Sequence, residues 1–371
     1  MSWTEADRPF LERALELAAR GRLTCAPNPM VGCVLVREGR VVGEGWHEVA
    51  GGPHAEVVAL RAAGAGARGA TAYVTLEPCV HFGRTPPCAP ALLEAGVARV
   101  VVGLRDPFPE VSGRGIRDLA AAGVEVDLAP RELQERCARQ NSLFLHRVVA
   151  GGPFVTMKFA MTLDGKIATA TGHSRWISSP ESRERSHLER AAHDAILVGV
   201  GTVLADDPQL NCRLPGGRDP VPVVVDRTLR TPPTARLLRS GRALVACAEE
   251  ADGSRARALE EAGATLLRLP GDGQVDLRAL VAALGERGLD SVLVEGGGRI
   301  HASALASGIV HRVLAFVAPL LVGGEAARTP VEGPGVARVD DGWRLGAPAW
   351  ETVGPDLLVE GFLWDWGSLL A

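Results

Sequence analysis

Apolar positions along this chain recur in short blocks, and the blocks switch between two spacings. Runs at 31–36, 41–46, 71–75, 99–102 and 124–128 have the length and the Val-rich composition of strands. Segments at 7–20, 54–63, 116–122 and 131–149, and one ending at Ala95-Gly96, space their apolar residues as helices do. The first two runs are joined by Arg37-Glu38-Gly39-Arg40, which predicts a β-hairpin. Farther on, a strand-like run at 154–160 is followed by others at 195–200, 221–225, 243–247, 265–269, 291–294 and 313–317. Helical or loop segments such as 179–192 and 277–286 lie between them. Strand and helix alternate in both halves, so each half predicts an α/β fold around a mostly buried sheet.

The small, Gly/Pro-rich Ala150-Gly151-Gly152-Pro153 interrupts this alternation and predicts two domains, 1–150 and 151–371. A length of 371 residues suits that division. Hydrophobic residues at 46% and charged residues at 23% are those of a folded protein. A net charge of −4 gives no electrostatic footprint for a phosphate backbone, so nucleic acid is not an expected partner. Residues 1–20 read as an amphipathic helix rather than a signal peptide. The longest uncharged apolar runs, 195–205 and 313–324, fall short of the roughly 18 residues a membrane span needs. Seven cysteines, an odd number without a secretory signal, argue for free or metal-bound thiols and a cytoplasmic protein.

The strongest chemical signal is His54-Ala55-Glu56, followed by Pro78-Cys79 and then Cys88. One imidazole and two thiolates make three protein ligands, and a catalytic Zn²⁺ keeps its fourth position for water. Glu56, two residues from the histidine, is placed to move that water's proton without binding the metal. His-x-Glu with Pro-Cys and a later Cys is the pattern of zinc deaminases acting on nucleobases. Here Pro78-Cys79 and Cys88 are separated by eight residues, Val80 to Pro87, where the usual pattern has two. A structural site completed by His81 is the bland alternative, and Cys25, Cys33 and Cys137 read as small buried hydrophobes.

In the second half, Lys158 and Lys166 are the only lysines among forty basic residues, and their placement on a strand and the turn after it predicts an anion site at one strand end. The run Glu295-Gly296-Gly297-Gly298 between a strand and a helix beginning at Ala302 could let backbone N–H groups approach a phosphate. The spaced Gly-x-Gly-x-x-Gly fingerprint is absent, so a plain dinucleotide-binding domain is not supported.

These motifs sit in longer ordered strings. Pro27-Asn28-Pro29-x-Val31-Gly32, Gly43-Glu44-Gly45-x-His47, Pro53-His54-Ala55-Glu56 and Thr75-Leu76-Glu77-Pro78-Cys79-x-His81-x-Gly83-Arg84-Thr85-Pro86-Pro87-Cys88 resemble the deaminase half of the bifunctional riboflavin-biosynthesis deaminase/reductases. Lys158 to Lys166, Gly172-x-Ser174-x-Trp176, Arg190, the string from Gly201 to Arg213, and Val294-Glu295-Gly296-Gly297 resemble the reductase half. The resemblance implies a cytidine-deaminase-like three-layer domain followed by a dihydrofolate-reductase-like domain, with Zn²⁺ and NADPH as cofactors. It implies a phosphorylated pyrimidine substrate, 2,5-diamino-6-ribosylamino-4(3H)-pyrimidinone 5′-phosphate, deaminated and then reduced to 5-amino-6-ribitylaminouracil 5′-phosphate. By position, Asn28, His47 and Arg84 would contact substrate in the first half, and Lys158, Ser174, Arg190, Leu210, Arg213 and Glu295 in the second. Arg190 and Arg213 suit the 5′-phosphate. Ala160, Trp176, Thr202, Asp206 and a loop of Gly297, Gly298, Arg299, Ile300, His301, Ala302 and Ser303 would contact NADPH. Arg227 is a possible partner of the cofactor 2′-phosphate or a surface arginine. A homo-oligomer is expected. Two rival readings are a simple nucleoside or nucleic-acid cytosine deaminase with an inert C-terminal module, and a zinc-stabilised binding protein.

Overall fold

The structure, a computed structural model, describes residues 3–82, 85–367 and 370. It divides into two compact units, Met1–Gly151 with Trp366–Ala371, and Gly152–Asp365.

The first unit runs α1 (Arg8–Ala19), β1 (Gly32–Arg37), β2 (Arg40–Trp46), α2 (Ala55–Ala63), β3 (Thr71–Val74), α3 (Cys88–Glu94), β4 (Arg99–Val102), α4 (Arg114–Ala121), β5 (Glu125–Leu128), α5 (Arg131–Gln140) and α6 (Ser142–Val149). Its sheet has the order β2-β1-β3-β4-β5; β1 is antiparallel to β2 and β3, and the rest is parallel. Alternate residues of each strand serve opposite faces. Cys33, Leu35, Ala72, Val74, Val100 and Val102 pack under Ala55 and Ala59 of α2, Leu92 of α3 and Leu119 of α4. Val34, Val36, Tyr73 and Val101 pack instead against Leu11, Ala14 and Leu17 of α1 and Leu133 of α5. Burial on both faces makes three layers, each buried Val or Leu contributing roughly 1.5–3 kcal/mol. Helix α2 lies directly on β2, because a Cβ on Gly45 would sit 2.4 Å from the Ala55 carbonyl oxygen.

The helical stretch expected at 131–149 is two helices. Asn141 leaves helical geometry between them and reaches Met30, its Oδ1 accepting from Met30 N at 2.7 Å and its Nδ2 donating to Met30 O at 2.9 Å. That clamp fixes the segment carrying Asn28.

The second unit runs β6 (Phe154–Thr162), α7 (Pro180–Ala192), β7 (Ala195–Gly199), α8 (Val200–Asp206), β8 (Val221–Val225), β9 (Leu244–Ala248), α9 (Gly253–Glu261), β10 (Thr265–Leu269), α10 (Leu277–Gly285), β11 (Ser291–Val294), α11 (Gly298–Ala306), β12 (Arg312–Ala318), β13 (Gly346–Val353) and β14 (Asp356–Phe362). The sheet order is β10-β9-β8-β7-β11-β6-β12-β14-β13, parallel through β12 and closed by an antiparallel hairpin. Val155, Leu197 and Val223 face one apolar cluster, while Ile196, Val198 and Val224 face the other. Ser179 caps α7, its Oγ accepting from Ser182 N at 3.1 Å while its own N–H donates to Asp356 at 2.8 Å. Strands β13 and β14 were not expected: β13 is the exposed edge strand with no buried apolar run, and β14, between β12 and β13, interrupts its short run Leu357-Leu358-Val359 with Glu360 and Gly361.

Candidate active sites

His54 is the residue before α2, so the helix start aims its ring while Glu56 lies in the first turn. Cys79 follows β3, and Cys88 opens α3. The inserted loop closes on itself through Cys79 O, which accepts from Cys88 N and Ala89 N, each at 3.1 Å. His54 Nδ1 then lies 3.2 Å from Cys88 Sγ and 3.5 Å from Cys79 Sγ. All three donor atoms fall within 4.8 Å of one another. Tetrahedral zinc with ordinary Zn–N and Zn–S bonds sets such atoms about 3.5 Å apart, so this donor set fits the metal. Thr85 Oγ1 sits 2.9 Å from His54 Nε2 and orients the ring from behind. Among the described residues no fourth histidine, cysteine or carboxylate joins the group, and His81 is not a member of it.

The protonation pattern suits a metal site. The Cys88 thiol donates toward Cys79 and holds it well below the usual thiol range. Cys79 in turn raises the His54 imidazole above its ordinary value. Glu56 is 3% exposed, and burial pushes its carboxyl up to about 7, helped by the negative Cys79. A cavity of about 700 Å³ opens over these residues, lined by Asn28, His47, His81, Asp106 and Phe108 among others. His47 Nδ1 lies 3.0 Å from Pro53 O and must carry the proton there, so Nε2 accepts from Asn28 Nδ2 at 3.1 Å. Burial lowers the His47 pKa, which favours the neutral ring. Arg84 lies outside the described residues.

Two acids here were not anticipated. Glu77 is buried and accepts from Asp106 N at 3.2 Å, Gly113 N at 2.9 Å and Ile116 N at 3.2 Å, fixing the loop that walls the cavity. Asp106 is buried on that wall, and burial pushes its carboxyl up to about 7. Its position just after β4, at the carboxyl end of a parallel strand, is the signal that could have found it.

In the second unit the chemistry gathers where β11 ends. Val294 pairs with Met157 of β6, so the next register position sets Glu295 level with Lys158. Lys158 is therefore mid-strand in β6, four residues before its end at Thr162, and Lys166 belongs to the turn beyond; the expected pair at one strand end is not formed. Lys158 Nζ lies 5.4 Å from the Phe316 ring centre, and burial depresses its pKa. Arg190 of α7 grips Glu295 with two parallel bonds, Nε to Oε1 at 3.1 Å and Nη2 to Oε2 at 2.6 Å, and its Nη1 donates to Asn211 O at 3.1 Å. Burial alone would raise the Glu295 carboxyl, but Arg190 and Lys158 hold it down at about 2. Arg190 thus spends its donors on protein groups. Arg213 is exposed beside His187, and Leu210 is buried in an apolar cluster.

The expected loop from Gly297 to Ser303 is mostly the start of α11. Ile300 and His301 face inward, Ile300 into the core and His301 onto Pro330 O at 2.8 Å, while Arg299 is exposed and Gly298, Ala302 and Ser303 continue the helix. Gly297 has a φ of +52°, and a Cβ there would lie 3.5 Å from Thr202 Oγ1 on α8. A helix N-terminus beside a hydroxyl suits a pyrophosphate, so these residues fit a dinucleotide. Ala160 lies on β6, Ser174 in the loop before α7, and Asp206 ends α8, its carboxylate 4.0 Å from Arg175. Trp176 is 64% exposed with Arg183 stacked 4.6 Å from its ring. Arg227 pairs with Glu250 at 2.9 Å.

The family described as cytidine and deoxycytidylate deaminase zinc-binding region matches residues 4–104, and the RibD C-terminal domain matches 153–359. The riboflavin biosynthesis protein RibD of Actinobacillus pleuropneumoniae is 44% identical over 96% of this chain and 95% of its own. The chain belongs to the RibD family. RibD of Acinetobacter baumannii superposes with a TM-score of 0.77 at 36% identity, covering 96% of this chain and 99% of that one. A diaminohydroxyphosphoribosylaminopyrimidine deaminase/5-amino-6-(5-phosphoribosylamino)uracil reductase from Thermotoga maritima does so at 0.76 and 36%, covering 96% and 98%. The cytidine-deaminase-like and dihydrofolate-reductase-like domains expected from sequence are those of RibD. Like other RibD proteins, this is a bifunctional deaminase and reductase of riboflavin biosynthesis acting on a small pyrimidine, with Zn²⁺ and NADPH as its cofactors. An inert C-terminal module and a zinc-stabilised binding protein are not favoured. Among the described residues no helix is long and apolar enough to cross a membrane.

Proposed function

We propose that the first unit deaminates 2,5-diamino-6-ribosylamino-4(3H)-pyrimidinone 5′-phosphate with His54, Cys79 and Cys88 holding zinc and Glu56 carrying the proton. Zinc held by these three residues would supply an activated water near neutral pH. Glu56 would take a proton from the attacking water and hand one to the nitrogen that departs from the ring carbon, so that ammonia leaves and a carbonyl remains. Asn28, His47 and Arg84 contact the substrate. The observation that carries this reading is the convergence of three ligand atoms beside a buried carboxylate that is not among them.

The second unit reduces the deaminated product at C1′ of its ribosyl group, which becomes ribityl. NADPH supplies the hydride. Lys158 and Glu295 orient the sugar, Arg190 holds Glu295 in place, and Arg213 contacts the 5′-phosphate; Ser174 and Leu210 complete the substrate set. Ala160, Trp176, Thr202, Asp206 and residues Gly297 to Ser303 hold the cofactor, with Ile300 and His301 acting through the packing of α11. The paired charges of Lys158, Arg190 and Glu295 support this arrangement. The protein is cytoplasmic and a homo-oligomer on this reading, and its net charge of −4 accords with the lack of a nucleic-acid partner.

Glu56→Gln tests both halves at once. It should retain zinc by elemental analysis and lose about 10²–10⁴-fold in ammonia release, while still oxidising NADPH when given deaminated substrate. Ammonia release near the wild-type rate would refute the role of Glu56.

A further inference from the structure

One buried histidine of the second unit, His187, has no part in the reductase set given above. It lies on α7 one turn before Arg190, so both side chains leave the same helix face. That face holds three consecutive residues of the segment below it. Arg190 Nη1 donates to Asn211 O at 3.1 Å, Cys212 Sγ lies 3.5 Å from His187 O, and the His187 ring meets Arg213 twice. Its Nε2 is 3.0 Å from Arg213 Nε, and its Nδ1 is 3.3 Å from Arg213 N.

His187 is 8% exposed. Burial, then the charges of Arg190 and Arg213, drives its pKa down to about 4, so the ring is neutral and has one acceptor nitrogen. The shorter contact assigns that acceptor to Nε2, facing the Arg213 guanidinium. Arg213 Nε thus donates to His187 Nε2, and among the described residues Arg213 Nη1 and Nη2 have no hydrogen-bond partner. Arg190, by contrast, commits Nε, Nη1 and Nη2. Glu295 and Lys158 also act electrostatically on His187, so this mount stands at the edge of their cluster.

We propose that His187 is a positioning residue that holds Arg213 with its two free nitrogens presented to the substrate's 5′-phosphate, and so sets the preference of the reductase for a phosphorylated substrate. The proposal rests on the reading that Arg213 contacts that phosphate. A guanidinium held at Nε offers its Nη pair as a fork suited to phosphate oxygens. Without the imidazole, Arg213 is an exposed side chain that must be ordered anew at each binding event.

The test uses the full-length enzyme loaded with NADPH and follows NADPH oxidation on 5-amino-6-ribosylaminouracil 5′-phosphate and on its dephosphorylated counterpart. Arg213→Ala should raise KM for the phosphorylated substrate about a hundredfold and abolish discrimination between the two. His187→Leu and His187→Ala, one filling the ring's space and one not, should each raise that KM about tenfold, as expected for losing one hydrogen bond to a charged group. Their kcat should stay within about threefold, and KM for the dephosphorylated substrate should not move. His187→Gln, whose amide oxygen can accept from Arg213 Nε, should recover most of the loss. Equal losses on both substrates, or unchanged discrimination in the His187 variants while Arg213→Ala destroys it, would overturn the positioning role alone. Unchanged discrimination in Arg213→Ala would overturn the phosphate contact on which it rests.

Discussion

Replacing Arg190 by Met keeps most of the aliphatic stem and removes the guanidinium that meets Glu295 at 2.6 and 3.1 Å. Both side chains are largely buried, at 18% and 8% exposure, so water cannot take over. A carboxyl held at about 2, where the free group titrates at 4.5, carries about 3 kcal/mol of stabilisation at neutral pH. Breaking a buried ion pair from one side costs about 3–5 kcal/mol, which agrees. For a unit of this size, 3 kcal/mol corresponds to a fall in Tm of about 6–12 °C. The pH dependence separates charge from packing. Glu295 has a folded-state pKa below its unfolded value, so its contribution is complete above 4.5 and is lost as pH falls toward 2. In Arg190→Met the carboxyl stays buried with Lys158 as its remaining cation, takes up a proton more readily, and recovers part of the loss in acid. Scanning calorimetry of the full chain at pH 7 and pH 4 should show a wide gap between variant and wild type at pH 7 and a narrower one at pH 4. A gap of equal size at both pH values would mean that lost packing, and not the uncompensated charge, accounts for the change. A gap under about 1 kcal/mol at pH 7 would mean that the Arg190–Glu295 pair contributes little to stability.

Two further changes probe the first unit. Asp7 accepts from Tyr73 Oη at 2.6 Å, Arg99 Nη1 at 2.7 Å and Thr4 N at 2.8 Å, and these bonds outweigh burial to hold its carboxyl at about 2. Asp7→Asn should lower stability to urea by about 2 kcal/mol at pH 7, a difference that fades as pH falls from 3.8 toward 2 and the wild-type carboxylate is protonated. A Cβ on Gly115 would sit 2.1 Å from Pro78 O, so Gly115→Ala must push on the Glu77-Pro78-Cys79 turn. It should cost about 1–3 kcal/mol and weaken zinc retention in a chelator titration while reductase turnover is kept.

The parallel core was readable because a strand buried on both faces must be apolar throughout. Runs such as 221–225 and 291–294 match β8 and β11 residue for residue, and neighbouring strands miss by one or two. The edge hairpin had no such signature. Its cue was the Gly354-Pro355 pair between Val353 and Asp356, which are partners in the ladder, and two-residue loops of that kind close hairpins. The break at Asn141 had no local cue, because the partner that bends the chain there is Met30, far away in sequence.

The two sites differ in the same way. Zinc ligation demands particular elements at short range, so His54, Cys79 and Cys88 declared themselves by type and order, and the fold had only to bring their donor atoms within 4.8 Å. The reductase cluster is built from charges whose meaning depends on their neighbours. Arg190 looks like a phosphate ligand in isolation, and only the register that sets Glu295 level with Lys158 shows that its fork is already taken by a carboxylate. On the proposed reading, Arg190 is satisfied from within and the phosphate falls to Arg213, and an exposed arginine can bear it only if something orders it. The neutral imidazole of His187 is the group in position to do so.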